Sequence, residues 1–383
     1  MRTSDLKVVQ VSPRVQAQGG IEALLERHRA LPGRSVFVAL FDRRPQPRED
    51  YTNLNFTWRT PLGRMRREFA SVLAPHAGAV VIYHNAWGLP FLHGGDAAAR
   101  RLAFCHGMPA FHARNLPSCH GLLDGVLGVA PALSAAWGGM LPALDPWRRR
   151  VLAAPVEPPP GLTRRADRPA EIVLGCAGRV VREHKRLDRL PQFLRALDAT
   201  GLRYRFEVLG DGKLRPELER RLSPRVRFHG WTSKEEYWRV LAGWDAMVFL
   251  SEVEGAPHAL LEAMRLGVIP FFPRIGGSIG DLYAPQVDAL CHYPAGDLGA
   301  LAASVQRIFS YDAAKLAERR ARACAVVAAH TLDGYNENFQ EFIGQVVAQP
   351  RLSAPGDRAR RKWSDGLPLG LVTRLTPWLL WQR

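Results

Sequence analysis

The stretch SEVEGAPHALLEAMRLG, residues 251–267, decides how this chain is read. It follows an apolar run, residues 246–250, with the length and composition of a buried strand. It passes into a segment where Leu260, Leu261, Ala263, Met264 and Leu266 recur at helical spacing. Pro257 suits a first helical turn, where a missing N–H costs nothing, and Gly267 with Pro270 beyond it predicts the stop. Strand, charged loop and helix therefore follow one another. In an open parallel sheet, ligands bind beyond the carboxyl ends of the strands, and unpaired N–H groups at the start of the next helix attract anions. That order puts Glu254 at the mouth of a cleft, with Glu262 following after seven intervening residues. Two carboxylates beside an anion-favouring site do not suit phosphate itself. They suit hydroxyl groups, one set on a sugar and one on a ribose, with phosphates held between them by N–H groups and cations. A solvated loop Glu and a helix-surface Glu would show the same spacing, so the pair depends on its context.

The cations lie upstream. Residues 171–177 read as a strand, and GRVVREHKRLDRL, residues 178–190, follows. Gly178 supplies a turn, and Arg179 and Lys185 bring two cations to the strand end, where they can clamp a diphosphate or simply be solvated. A strand at 206–209 runs into Gly210, Asp211 and Gly212; another at 226–229 runs into Gly230 and Trp231, ahead of a helix around 235–241. Gly210 and Gly212 admit an ordinary turn or a close approach of backbone to a nucleotide, and Trp231 could pack near a base. Beyond residue 267 a buried strand at 268–272 leads to a glycine turn, Arg274 to Ser278, whose N–H groups can bind phosphate.

The first half alternates in the same way. A short apolar strand, LKVVQV at 6–11, precedes Gly19 and Gly20 and an amphipathic helix at 21–31; further strands are expected at 35–40, 79–84, 101–106, 125–130 and 150–153. Strands alternating with helices predict a parallel sheet covered on both faces, a doubly wound domain. His84 and His106 close two of these strands, in HNAWG and HGMP. A His at a strand terminus can bind a ligand near neutral pH, or sit as a satisfied core group. A proline-rich segment predicts a semi-rigid linker. The expected organisation is a first domain over 1–154, a linker over 155–170, a second domain over 171–330, a terminal helix within 331–350 and a basic, aromatic tail over 351–383.

At these residues the chain resembles the retaining glycosyltransferase family 4 enzymes of the GT-B fold. The donor motif of that family has two Glu separated by seven residues, Ala-Met after the second, then Gly and a buried strand. Glu254, Glu262, Ala263, Met264, Gly267 and residues 268–272 match it. Gly178, Arg179 and Lys185 match the donor-diphosphate motif, Gly210 to Gly212 the Gly-Asp-Gly turn, and Gly19, Gly20, Ile21 and Glu22 the first loop. The resemblance implies two Rossmann-like domains facing each other across a cleft. It places Gly178, Arg179, Lys185, Gly210, Gly212, Trp231, Glu254, Gly255, Ala256, Pro257, His258 and Glu262 at the donor, and Gly19, Gly20, His84 and Asn85 on the acceptor side. It further implies His106 reaching the donor sugar from the other domain, so that Glu254, His106, Arg179 and Lys185 form the catalytic set. The chain departs from the family at Ala256, Pro257 and His258, where an apolar or aromatic residue and Gly are usual. It departs again at Arg186, where Gly is usual, at Pro155 to Glu157 in place of Asn-Gly, and at Ile279 to Asp281 in place of Pro-Glu.

Composition bounds the partners. With 383 residues the chain is long enough for two domains, and no uninterrupted apolar run or leader layout suggests a membrane span or secretion, so a cytoplasmic location is expected. Five scattered cysteines argue against a disulfide framework and a zinc site. A net charge of +16 favours an anionic partner, but no nucleic-acid motif accompanies it. Arg64, Arg66 and Arg67 could face an anionic surface or be solvated. Arg360, Arg361 and Lys362 ahead of Trp363, Trp378 and Trp381 have the composition of an interfacial membrane element or of a packed arm, and Pro368 and Pro377 prevent one continuous helix. No Asp-x-Asp triplet occurs, consistent with metal-independent transfer and no cofactor beyond the nucleotide-sugar co-substrate. The expected activity is sugar transfer to a glycan or lipid-linked acceptor in polysaccharide or lipopolysaccharide assembly, on the inner face of the cell membrane. The alternatives are a sugar-nucleotide epimerase on the same fold and a non-catalytic basic scaffold.

Overall fold

Seven parallel strands in one half and six in the other form two separate sheets in the computed structural model. It describes residues 7–16, 20–29, 35–42, 46–92, 100–107, 116–119, 121–164, 171–352 and 363–371. One unit comprises Met1–Ala153 with Tyr335–Arg383, the other Ala154–Gly334.

The first unit contains β1 (Val8–Ser12), α1 (Gly20–Arg29), β2 (Ser35–Ala39), β3 (Tyr51–Asn53), α2 (Leu62–Leu73), β4 (Val80–His84), α3 (Leu89–Leu92), β5 (Arg100–Cys105), β6 (Gly125–Gly128), α4 (Pro131–Met140) and β7 (Arg149–Val151). The second contains β8 (Ile172–Ala177), α5 (Leu190–Asp198), β9 (Tyr204–Leu209), α6 (Arg215–Leu222), β10 (Val226–Gly230), α7 (Lys234–Ala242) and β11 (Ala246–Val248), then α8 (His258–Arg265), β12 (Ile269–Arg274), α9 (Ile279–Val287), β13 (His292–Pro294), α10 (Leu298–Phe309) and α11 (Ala313–Val326). The last helix, α12 (Leu332–Ala348), carries the chain from Gly334 of the second unit into Tyr335 of the first.

The sheets run β3-β2-β1-β4-β5-β6-β7 and β10-β9-β8-β11-β12-β13. Each grows outward in one direction from its first strand, then reverses. The reversal lies between β1 and β4 in one sheet and between β8 and β11 in the other, the switch points where open α/β sheets leave a crevice. These are two doubly wound, Rossmann-like domains. Every residue of β1 and β4 is buried, as strands covered on both faces require.

Some boundaries move for local reasons. The strand expected at 125–130 stops at Gly128, because Val129 and Ala130 turn the chain into α4, which has Pro131 at its start. Helix α11 ends at Val326, and His330 beyond it bridges the Ala154 carbonyl and the Tyr283 hydroxyl, at 3.1 and 2.9 Å. The three-residue strands β3 and β13 are too short to leave a periodic signal.

Two basic segments also resolve. Arg66, read from sequence as facing an anionic surface or solvent, is ion-paired with Asp365 of the tail, and Arg64 pairs with Glu68. Residues 363–371 pack as an arm: the Leu62, Leu369 and Gly370 N–H groups bond to the carbonyls of Leu367, Thr60 and Trp58, and Leu369 is fully buried. Arg360, Arg361, Lys362, Trp378 and Trp381 lie outside the described residues. No helix among the described residues is long and apolar enough to cross a membrane.

Candidate active site

At the switch point of the second sheet the loops after β8 and β11 meet. Lys185 Nζ donates to Glu254 Oε1 at 2.6 Å, and the Ser251 hydroxyl donates to the same oxygen at 2.7 Å. The Glu254 side chain is 9% exposed and that of Lys185 20%, so the pair is shielded from bulk water. Glu254 Oε2 carries no hydrogen bond among the described residues. Arg179 is exposed, with no ion-pair partner among the described residues.

Residues outside the expected donor set help to fix this geometry. The Glu252 N–H donates to the His184 carbonyl at 2.9 Å, and the Glu252 carboxylate receives both Arg186 and Arg189. Arg186 stands where Gly is usual in the family it resembles, and its backbone keeps a left-handed conformation, φ 51°. Its side chain pairs with Asp188 at 3.1 Å as well as with Glu252, interactions that offset the conformational cost. An acidic residue two before Glu254 was the only sequence signal for this clamp.

The glycines have a specific task. A Cβ on Gly210 would stand 2.0 Å from the Gly178 carbonyl oxygen, and one on Gly212 would stand 2.4 Å from that of Val180. The turn after β9 thus lies against the backbone of the turn after β8, joined by Gly178 N–H to Leu209 O and Val180 N–H to Asp211 O, both 2.9 Å. Gly210 also donates to Gly230 O at 2.8 Å. Close approach is required here, and the observed neighbour is backbone. Trp231, just past β10, is 44% exposed.

The second carboxylate has its own partner: Tyr237 Oη on α7 donates to Glu262 Oε2 on α8 at 2.6 Å. At the Ala256, Pro257, His258 departure, Pro257 is the N-cap of α8 and provides no side-chain cap, so the helix begins one residue later than expected. Gly255 O accepts from Ser278 Oγ at 2.8 Å and from Ile279 N–H at 2.9 Å, tying this loop to the glycine turn. Asp281 completes a capping box on α9 and receives His292 at 3.0 Å, a structural task that explains an acidic residue at that position.

In the first unit, His106 follows β5 and is half-buried, with its Nε2 2.7 Å from His84 Nδ1. Asn85 Oδ1 accepts the His106 backbone N–H at 2.9 Å, so Asn85 fixes the loop that carries the ring. His84 is fully buried and lies beneath His106, an interior position that gives it no surface for an acceptor to touch. Desolvation and, secondarily, the neighbouring His28 hold its pKa well below the ordinary His value. Gly20 is exposed at the start of α1; Gly19 lies outside the described residues. Among the described residues no group of three or more His, Cys, Asp or Glu side chains is arranged to hold a metal ion.

Residues 171–310, most of the second unit, match the family model described as Glycosyl transferases group 1. Comparison with curated protein sequences gives no match. Among solved structures the chain is similar to the lipopolysaccharide outer core galactosyltransferase WaaB in its apo form, with 16% identity over 89% of this chain and 99% of that one and a TM-score of 0.66. It is also similar to sucrose-phosphate synthase from Thermosynechococcus elongatus, with 16% identity over 90% and 99% of the two chains and a TM-score of 0.69. A glycosyltransferase from Rickettsia africae ESF-5 gives 15% identity over 90% and 100%, with a TM-score of 0.68. At such identities the structural likeness carries the fold, and the family match supports a glycosyltransferase.

Proposed function

We propose that this GT-B protein, matched through its second unit to the Glycosyl transferases group 1, is a retaining, metal-independent transferase. Its donor is a nucleoside-diphosphate sugar, and its acceptor is a glycan or lipid-linked glycan of the cell envelope. One observation carries the reading: at the switch point Lys185 and Glu254 are joined through a single carboxylate oxygen, which leaves Oε2 and the Arg179 guanidinium for a ligand.

The chemistry follows from the groups. As the glycosidic bond to the diphosphate breaks, negative charge grows on the leaving oxygens and positive charge on the sugar ring. A lysine ammonium has three donors; Lys185 uses one on Glu254 and keeps two for phosphate oxygens, while Arg179 adds a planar fork. These cations take the charge-neutralising part that a metal plays elsewhere. Glu254 Oε2 accepts from a sugar hydroxyl beside the reacting carbon, and Glu262, oriented by Tyr237, accepts from the ribose. Trp231 offers a face to the base. His106 takes the donor-sugar role that the family resemblance implies. In same-face displacement the acceptor oxygen bonds to the anomeric carbon as the bond to the diphosphate oxygen breaks, and the acceptor proton passes to that leaving oxygen. The envelope acceptor is proposed by analogy with the lipopolysaccharide galactosyltransferase.

The test is a panel of nucleotide sugars. A productive donor raises the melting temperature and is turned over in the presence of EDTA to a product whose anomeric configuration, read by NMR, is that of the donor. Glu254→Ala and Lys185→Ala should abolish turnover. Full activity in Glu254→Ala would reject the site. An epimerised donor formed without acceptor would replace the reading by an epimerase, and the absence of any thermal shift would favour a non-catalytic scaffold.

A further inference from the structure

Behind His106 a line of polar side chains crosses the core of the first unit. His106 Nε2 meets His84 Nδ1 at 2.7 Å, and His84 Nε2 meets Gln10 Oε1 at 2.8 Å. Gln10 Nε2 meets His28 Nδ1 at 3.0 Å, and His28 Nε2 meets Tyr335 Oη at 2.6 Å. Gln10, His28 and His84 are fully buried and Tyr335 nearly so. The elements explain the alignment: Gln10 on β1 is paired with Ile82 on β4, and His84 is paired with Phe104 on β5. Alternation with period two puts Gln10, Ile82, His84 and Phe104 on one face. His28 comes down onto that face from α1 and stacks near Phe104 at 6.0 Å, while Tyr335 and Phe339 of α12 flank it.

The donors in this line run one way. The Gln10 amide can only donate through Nε2 and accept through Oε1, so His28 accepts at Nδ1 and carries its proton on Nε2, donating to Tyr335. His84 must carry its proton on Nε2 to reach Gln10 Oε1, and its Nδ1 is therefore an acceptor that takes the proton of His106 Nε2. An imidazolium at His28 or His84 would set donor against donor and break the line. Burial depresses the pKa of both rings, that of His28 down to about 3. Apolar side chains would fill the same space at less cost in desolvation, so the line is not required by packing.

We propose that Gln10, His28, His84 and Tyr335 are positioning residues for His106: their one-way hydrogen-bond chain fixes the orientation and the Nε2–H tautomer of its ring, making Nδ1 its acceptor nitrogen. The functional consequence rests on the reading of His106 as a group that acts in sugar transfer; the chain itself does not. Tyr335, the residue at which the chain re-enters the first unit, thereby acts on the site through four successive hydrogen bonds.

Long-range proton–nitrogen NMR on protein labelled with 15N-histidine at pH 8 tests this, the His106 signals being assigned by their loss in His106→Asn. In the wild type His28, His84 and His106 should all show the neutral Nε2–H pattern. Tyr335→Phe removes the terminal acceptor; the cheapest response is reversal of the whole line, with the Gln10 amide flipped and His106 shifted toward Nδ1–H. The kcat of transfer should fall about tenfold or more at little-changed donor KM. Gln10→Met, which severs the line at its middle, should also alter the His106 pattern and serves if Tyr335→Phe does not fold. Unchanged His106 nitrogen shifts in both folded variants would overturn the proposal. If the shifts move as expected but His106→Ala transfers sugar at the wild-type rate, the chain stands and the catalytic reading of His106 fails.

Discussion

Lys185 Nζ lies 2.6 Å from Glu254 Oε1, joining two loops that are 69 residues apart in sequence across the switch point of the second sheet. The contact is shielded, and Ser251 is the other partner of that oxygen. Removing either charge leaves the other partly buried without its ionic partner. A double-mutant cycle with Lys185→Met and Glu254→Gln, followed by urea unfolding of the second unit, should give a coupling of roughly 1–3 kcal/mol. Each single variant should lower turnover at least a hundredfold. A coupling near zero would mean that the two side chains act independently.

Gly210 and Gly276 both have positive φ, 123° and 72°, but differ in surroundings. A Cβ at Gly276 would meet nothing within 4 Å, so Gly276→Ala should cost only the left-handed backbone, about 1–2 kcal/mol. Gly210→Ala would in addition drive a methyl group into the Gly178 carbonyl and should cost roughly 3 kcal/mol or more. Chemical denaturation of the two variants decides; equal losses would show that the turns after β8 and β9 can separate freely.

Arg186 offers a contrasting case. Arg186→Gly relieves a left-handed backbone but loses two partly exposed ion pairs, each worth about 0–1 kcal/mol, so stability should stay within about 1 kcal/mol of the parent. Arg186→Ala keeps the backbone cost and loses the pairs, and should be the less stable of the two. Melting temperatures of the three proteins check the order.

Buried histidines give acid sensitivity with a definite sign. His28 and His84 have folded-state pKa values below the unfolded value of 6.5, so the unfolded chain binds protons that the folded one refuses. Their stabilising contribution is complete above pH 6.5 and is lost as pH falls below it, by roughly 1.4 kcal/mol per pH unit for each ring, toward the folded value near 3 for His28. Unfolding free energy measured between pH 7 and pH 5 should therefore fall more steeply in the parent than in His28→Phe. Parallel curves would show that His28 takes up a proton within the folded state.

Much of this molecule was legible in one dimension. Strand and helix alternation, the turn glycines, and the Arg179, Lys185, Glu254 and Glu262 motifs are local patterns, because hydrophobic period and backbone punctuation act over a few residues. From the alternation the two doubly wound domains followed; the candidate donor residues came from the family resemblance that their motifs carry, since each motif alone also fits solvated residues. Short strands such as β3 and β13 escaped, since three residues hold no period.

Tertiary structure alone decided what each group touches. Gln10 was a polar letter in an apolar strand and His28 the end of an amphipathic helix; only the register of β1, β4 and β5 and the return of α12 put them in line with His106 and with Tyr335, 307 residues from His28. The same holds for Gly210, whose missing side chain makes room for the Gly178 carbonyl, and for Arg66, turned inward onto Asp365. The sequence by itself determined the elements and their order, through forces that act between near neighbours. Contacts between distant residues depend on strand order and on which face each side chain takes, and those were settled only when the sheets assembled.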